Sequence, residues 1–327
     1  MTLPRRSLSS WWAADFGIFL AFIIAISIPQ QASAQPLFYS PIEFAVKETF
    51  QITNEVNIVH EQGAYWAWYP KQPWNEKIVG YIFHPNIWYD ERAYAPVARA
   101  LAFSGIPTFI LDVPVSFSFL TPYRADTVLR DFPNITSWIV GGHGIGGQVA
   151  AHYAQARRHI GPVDGLALFA SAPAPLFTDL SLSGIKAISA WGSLDGIFSR
   201  IEWEDGKKML PPDADFRELQ GGNHANWAYL INPQAGDGAA TVTRDAQIAF
   251  SITAVKILVA RVEAQIFKRK KLKEKESDSG DSSDDRRRLR RSHIYEDSEE
   301  EDSVEEDYSL SLSSSSDEWP SPKTIQN

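Results

Sequence analysis

The sequence predicts an α/β protein with a mostly parallel central sheet, opened by an antiparallel hairpin and covered by helices on both faces. Three observations carry this prediction. Short β-branched and aromatic runs alternate with apolar patterns of helical period from Pro41 to Phe267. The helical patterns are long enough to cross back over a sheet, as parallel strands require. A glycine-rich turn, "GGHGIGG" (Gly141–Gly147), sits between a buried strand and a helix.

Each element has its own reason. Val56–His60 and Ala64–Trp68 flank Gln62-Gly63 and read as a hairpin. Ile78–Phe83 is a continuous apolar strand, and "DERAYAPVARALAFSG" follows as a helix stopped by Gly105. Pro107–Val113 is the next strand, then a helix Arg124–Asp131, the strand Ser137–Val140 and the helix Ile145–His159. The strands Gly165–Phe169, Ile185–Trp191 and Phe216–Leu219 complete the sheet, with a helix Ile201–Leu210 between the last two. A long helix, Arg244–Phe267, closes the core, so the folded domain spans residues 41–267.

The ends differ from this middle. Arg5 and Arg6, the apolar run Phe16–Ile28 and the small-residue exit Ala32-Ser33-Ala34 describe a secretory signal peptide over residues 1–34. An uncleaved signal anchor is the alternative, and only that form would hold the protein to a membrane. Either way the domain enters the secretory pathway, secreted, lumenal or anchored. Asn134-Ile135-Thr136 is a glycosylation sequon in an expected loop. From Lys268 onward, blocks such as "KRKKLKEKE" and "EDSEEEDSVEED" lack the apolar residues that offset ordering entropy, so 268–327 is expected to be a disordered charged tail. Ser282, Ser283 and Ser298 are acid-flanked candidates for phosphorylation, and Arg288–Arg291 resembles a basic processing site. A protein partner for the tail is left unnamed.

Composition excludes some chemistry. The chain has a net charge of −9; residues 268–327 hold 12 basic and 17 acidic residues, or −5, leaving −4 for the rest. Neither part argues for nucleic acid. With no cysteine there is no disulfide, thiolate metal site or Cys nucleophile. No metal-ligand spacing or dinucleotide fingerprint occurs, so neither metal nor cofactor is expected.

The turn carries the chemical question. In a nucleophile elbow, Gly-x-Ser-x-Gly bends a strand sharply into a helix and projects the serine above the sheet. Here Gly142, Gly146 and Gly147 supply the glycines, but the serine's place is Gly144. Asp195 follows one later strand and His224 the next, the chain order of acid and base in such a triad. Each also has an ordinary reading, an Asp-Gly turn and a solvated loop histidine. His143 is expected to bond locally, and Ser171 and Ser193 lack an elbow context. Asp195 and His224 alone could activate water by general base catalysis.

These blocks resemble the α/β-hydrolase superfamily, and within it the fold-5 group. "ERAYAPVARALAFSGIPTFILDVPVSFSFL", "ITSWIVGGHGIGGQVAAHYA", "DGLALFASAPA", "GSLDGI", "GGNHANW" and "NPQAGDGAATVTRDAQ" follow that group's order. The resemblance implies the α/β-hydrolase fold and hydrolysis of small or lipid-like carboxylic esters. It places the nucleophile position on Gly144, the acid on Asp195 and the base on His224. The oxyanion donors would be the backbone amides of Ile145 and of Asn86, in "HPNIW", where the group tends to be glycine-rich. Glycine cannot form an acyl-enzyme, so impaired or absent serine catalysis is expected. A non-catalytic ligand- or protein-binding domain and a non-hydrolytic enzyme using the His–Asp pair stay open beside a hydrolase.

Overall fold

A computed structural model of the chain describes residues 39–278 except 52, 72–78, 114–117, 159–160, 175 and 233. The signal-peptide segment and the tail beyond 278, with its serines and arginine block, lie outside the described residues. Among the described residues eight strands form one sheet in the order β1-β2-β4-β3-β5-β6-β7-β8. They are β1 Val56–Glu61, β2 Tyr65–Pro70, β3 Val79–His84, β4 Thr108–Leu111, β5 Ser137–His143, β6 Val163–Phe169, β7 Lys186–Gly192 and β8 Asp215–Leu219. β1 and β2 form the expected antiparallel hairpin, β2 runs antiparallel to β4, and every later pairing is parallel.

Among the described residues six helices accompany them: α1 Glu43–Phe50, α2 Ala95–Phe103, α3 Ala125–Asp131, α4 Ile145–Arg157, α5 Arg200–Lys207 and α6 Arg244–Asp278. α2 links β3 to β4 in one direction across the sheet, and α4 links β5 to β6 in the other. Right-handed crossovers of opposite direction put the two helices on opposite faces. The central strands are accordingly buried along their whole length. Trp138, Tyr81, Phe109 and Trp68 are among the largest fully buried side chains. Gly80 makes room for Trp138, since a Cβ there would stand 2.6 Å from the indole.

Two elements depart from expectation. α1 precedes the hairpin and was not foreseen, because its eight residues carry only a weak apolar stripe. It is held by packing: Ala45 joins Tyr229 and Ile248 in a small cluster, and Arg99 Nε meets Glu48 Oε2 at 2.9 Å. α6 does not stop at Phe267 but runs to Asp278, so residues 268–278 of the charged segment are helical. Lys, Arg, Leu and Glu are good helix formers and no Gly or Pro intervenes, so local propensity continues a helix that burial no longer requires. The chain divides into two compact units there, Met1–Gln265 with the sheet and Ile266–Asn327 with the end of α6. Among the described residues no helix is long and apolar enough to cross a membrane.

His84 ends β3 with no exposed surface, and neither ring nitrogen has a hydrogen-bond partner among the described residues. Burial pushes its pKa from 6.5 down to about 3. The folded chain therefore holds it neutral where the unfolded chain protonates it, and its contribution falls as pH drops below 6.5. By pH 5 the loss from one such histidine is about 2 kcal/mol. His84→Leu should shrink the stability difference between pH 7.5 and pH 5 by about that amount relative to the parent, read from urea midpoints. An unchanged difference would assign the acid sensitivity elsewhere.

Candidate active site

β3 is the strand at which the order of addition reverses, with β4 on one side and β5 on the other. The carboxyl ends of strands at such a reversal open into a crevice where ligands bind. The pairs Phe83–Gly141 and His84–Gly142 hold β3 and β5 in register, so the loop after β3 lies beside the turn after β5. The first loop carries Asn86 and the second carries Gly144.

β5 ends at His143 and α4 begins at Ile145, leaving one residue for the turn. Gly144 takes it with φ 52° and ψ −124°, a backbone region that costs any other residue about 1–3 kcal/mol. The glycine at 146 answers to space instead. A Cβ on Gly146 would stand 2.2 Å from the carbonyl oxygen of Pro85 and 2.3 Å from that of His84. The geometry is that of a nucleophile elbow, without a side chain at its tip.

The loops after the adjacent strands β7 and β8 bring Asp195 and His224 together. His224 Nδ1 lies 3.0 Å from Asp195 Oδ2, with both side chains almost wholly buried, at 3% and 0% exposure. Asp195 Oδ1 accepts the amides of Ile197 at 2.9 Å and Phe198 at 2.7 Å. A carboxylate only accepts here, so Nδ1 carries the proton and Nε2 is left as an acceptor. That is the tautomer a general base needs.

Asp237 holds this pair in place, a role that sequence reasoning missed. Its Oδ1 accepts the amides of His224 and Gly196, each at 3.1 Å, and of Gly238 at 2.8 Å, while Oδ2 accepts that of Ala225 at 2.8 Å. One carboxylate thus ties the loop of the acid to the loop of the base. The available signal was "GDG", an acid between two glycines.

Asn86 differs from expectation. Its backbone amide donates to the Tyr94 hydroxyl at 3.3 Å and is not available to a ligand. The amide that shares an acceptor with Ile145 is that of Ile87. The Asn86 side chain fills the space between. Its Oδ1 accepts the amides of Ile87 at 2.9 Å and Ile145 at 3.1 Å. Its Nδ2 lies 3.3 Å from His224 Nε2. Only this orientation of the carboxamide puts an acceptor against two N–H groups and a donor against Nε2. A Cβ on Gly144 would stand 2.4 Å from Asn86 Oδ1.

The neighbouring groups are engaged. Tyr94 Oη accepts from Asn86 and is hydrogen-bonded to His143 Nδ1 at 2.9 Å. Burial, then the nearby His224, holds the His143 pKa well below its ordinary value, as expected of a local packing residue. Ser171 Oγ donates to the Gly144 carbonyl at 2.6 Å, and Ser193 Oγ accepts the Gly221 amide at 2.8 Å. Neither stands in for a nucleophile. Among the described residues no group of His, Cys, Asp or Glu could hold a metal ion. Asn134 is exposed in the turn between α3 and β5, away from these groups.

Asp237→Asn removes one of the two accepting oxygens and turns donors toward backbone donors. It should cost on the order of 2 kcal/mol in urea unfolding. It should also weaken the His224–Asp195 contact, seen as faster exchange of the Nδ1 proton in NMR spectra. An unchanged proton signal would show that the two loops hold without it.

Comparison with known proteins places the chain. The family model described as "Alpha/beta hydrolase family" matches residues 80–249, just over half of the chain. No curated protein matches in sequence. Among solved structures, an esterase from Pyrobaculum calidifontis is similar at 15% identity and a TM-score of 0.48, covering 81% of this chain and 95% of that one. A putative hydrolase from Agrobacterium vitis S4 is 17% identical with a TM-score of 0.44, covering 64% and 99%. Alpha/beta hydrolase domain-containing protein 10 from mouse is 14% identical with a TM-score of 0.41, covering 63% and 99%. With the match over 80–249 and the eight-stranded sheet, the chain belongs to the alpha/beta hydrolase family, in the fold-5 group that its motifs resemble.

Proposed function

We propose that this domain is a non-catalytic member of its family, one that has lost ester hydrolysis and acts by binding. The single observation behind this reading is the tip of the elbow: Gly144 offers no nucleophile, and the space above it is filled by Asn86. Without an alkoxide there is no acyl-enzyme. Direct attack by water under general base catalysis would need His224 Nε2 to face that water, and Asn86 Nδ2 occupies the position at 3.3 Å. The buried Asp195–His224 pair and the oxyanion amides are then a scaffold inherited from hydrolytic relatives, kept because each is hydrogen-bonded. Losing a partner would leave a buried polar group unsatisfied, at about 1–3 kcal/mol.

The experiment is an assay of the purified protein with short acyl esters and with a fluorophosphonate probe. The expected result is no probe labelling, and no ester turnover above that of His224→Ala. Turnover abolished by His224→Ala would overturn the reading in favour of a hydrolase.

We further propose that the domain is delivered to the secretory pathway by its first 34 residues and carries a glycan at Asn134. Support comes from the charge and hydropathy order of "MTLPRRSLSSWWAADFGIFLAFIIAISIPQQASA" and from the exposure of Asn134 and Thr136 on either side of the buried Ile135. Expressed in eukaryotic cells, the protein should shift to higher mobility on endoglycosidase treatment, and Asn134→Gln should abolish the shift. A protein that stays in the cytosol and shows no shift would refute both points.

A further inference from the structure

Three hydrogen-bond partners converge on the Asn86 carboxamide. Its oxygen has two acceptor sites, taken by the amides of Ile87 at 2.9 Å and Ile145 at 3.1 Å. Its nitrogen has two donors. One faces His224 Nε2 at 3.3 Å. Asn86 is 3% exposed, so the arrangement is not a chance surface contact. The three partners come from the loops after β3, β5 and β8, which are far apart in sequence.

These partners have a shared geometry. Two amide donors converge where a substrate's carbonyl oxygen would accumulate charge, and Nε2 looks toward the place of a serine hydroxyl. Asn86 meets both demands with one planar group: its C=O answers the amides and its NH₂ answers the imidazole. We propose that the site is a receptor for a primary carboxamide, and that the chain fills it with its own Asn86. This deepens the reading of the domain as non-catalytic and rests on it. A carboxylate would set an acceptor where the Asn86 NH₂ sets a donor against Nε2. A ketone is also wrong, since it answers only the two amides.

The closeness of Gly144 belongs to the same arrangement. With Asn86 in place, any Cβ at 144 would meet its oxygen at 2.4 Å and its Cγ at 2.7 Å, inside van der Waals contact. The carboxamide carbon therefore lies where an attacked acyl carbon would lie, against a nucleophile that is not there.

The test uses the full chain as wild type, Asn86→Gly, Gly144→Ser and the double variant, each followed by thermal melts and fluorophosphonate labelling. Asn86→Gly should melt lower than wild type. Acetamide should raise its melting temperature by a few degrees, while acetate and acetone do not and wild type does not respond to any of the three. Gly144→Ser alone should melt lower and stay unlabelled. The double variant should be labelled: the introduced hydroxyl forms an O–P bond, the P–F bond breaks, fluoride leaves and His224 takes the proton. No acetamide-specific rise in Asn86→Gly, or labelling of Gly144→Ser alone, overturns the proposal. Labelling of wild type would instead overturn the non-catalytic reading, and the acetamide melts would still decide this one. Should Asn86→Gly not fold, ¹⁵N spectra of the wild-type His224 ring decide: Nε2 as acceptor supports the proposal, and a protonated Nε2 overturns it.

Discussion

The register between β3 and β5 is the constraint on which the site depends. Pairing His84 with Gly142 sets the first loop against the elbow at a distance fixed by the spacing of two strands. Glycine at 146 follows, because the carbonyls of Pro85 and His84 approach closer than a Cβ permits. The amides of Ile87 and Ile145 then face one another, and a single side chain can reach both. A shift of one residue in this register would turn every side chain of β3 to the other face and separate the pair.

A second support comes from the other end of the domain. β7 and β8 deliver Asp195 and His224, but strands alone leave the loops after them free to diverge. Asp237, from the long connection that precedes α6, binds both loops through four backbone amides. The imidazole is thus held from three directions, by Asp195 at Nδ1, Asp237 at its backbone and Asn86 at Nε2. That explains how a buried ionisable pair persists where no turnover is proposed: each member is hydrogen-bonded on every side that burial has dried.

Much of the fold was legible in the sequence because strand runs and helical stripes recur with the sheet's own periodicity. β5 and α4 were plain from "WIVGGHGIGG", since the glycines mark the turn and the apolar run marks a strand buried on both faces. α1 was not legible, because its stability lies in tertiary contacts such as Glu48 with Arg99. The end of α6 was misplaced for the opposite reason: burial suggested a stop, while propensity carried the helix on to Asp278. In the candidate site, order and spacing point to Gly144, Asp195 and His224, and the structure sets the last two 3.0 Å apart. Asn86 was read as a backbone donor, and its side chain was overlooked. Which atom of a loop residue faces a crevice depends on the loop's dihedrals, and no local pattern encodes those.

The contact between position 144 and Asn86 also makes two positions depend on one another. A serine at 144 meets an occupied space and an unfavourable backbone, and loss of Asn86 strips three polar groups of their partner. On the non-catalytic reading proposed above, neither change alone clears the site, so an engineered return of serine chemistry has to alter both at once. Design of a working variant is then a problem of two neighbouring loops and not of one residue.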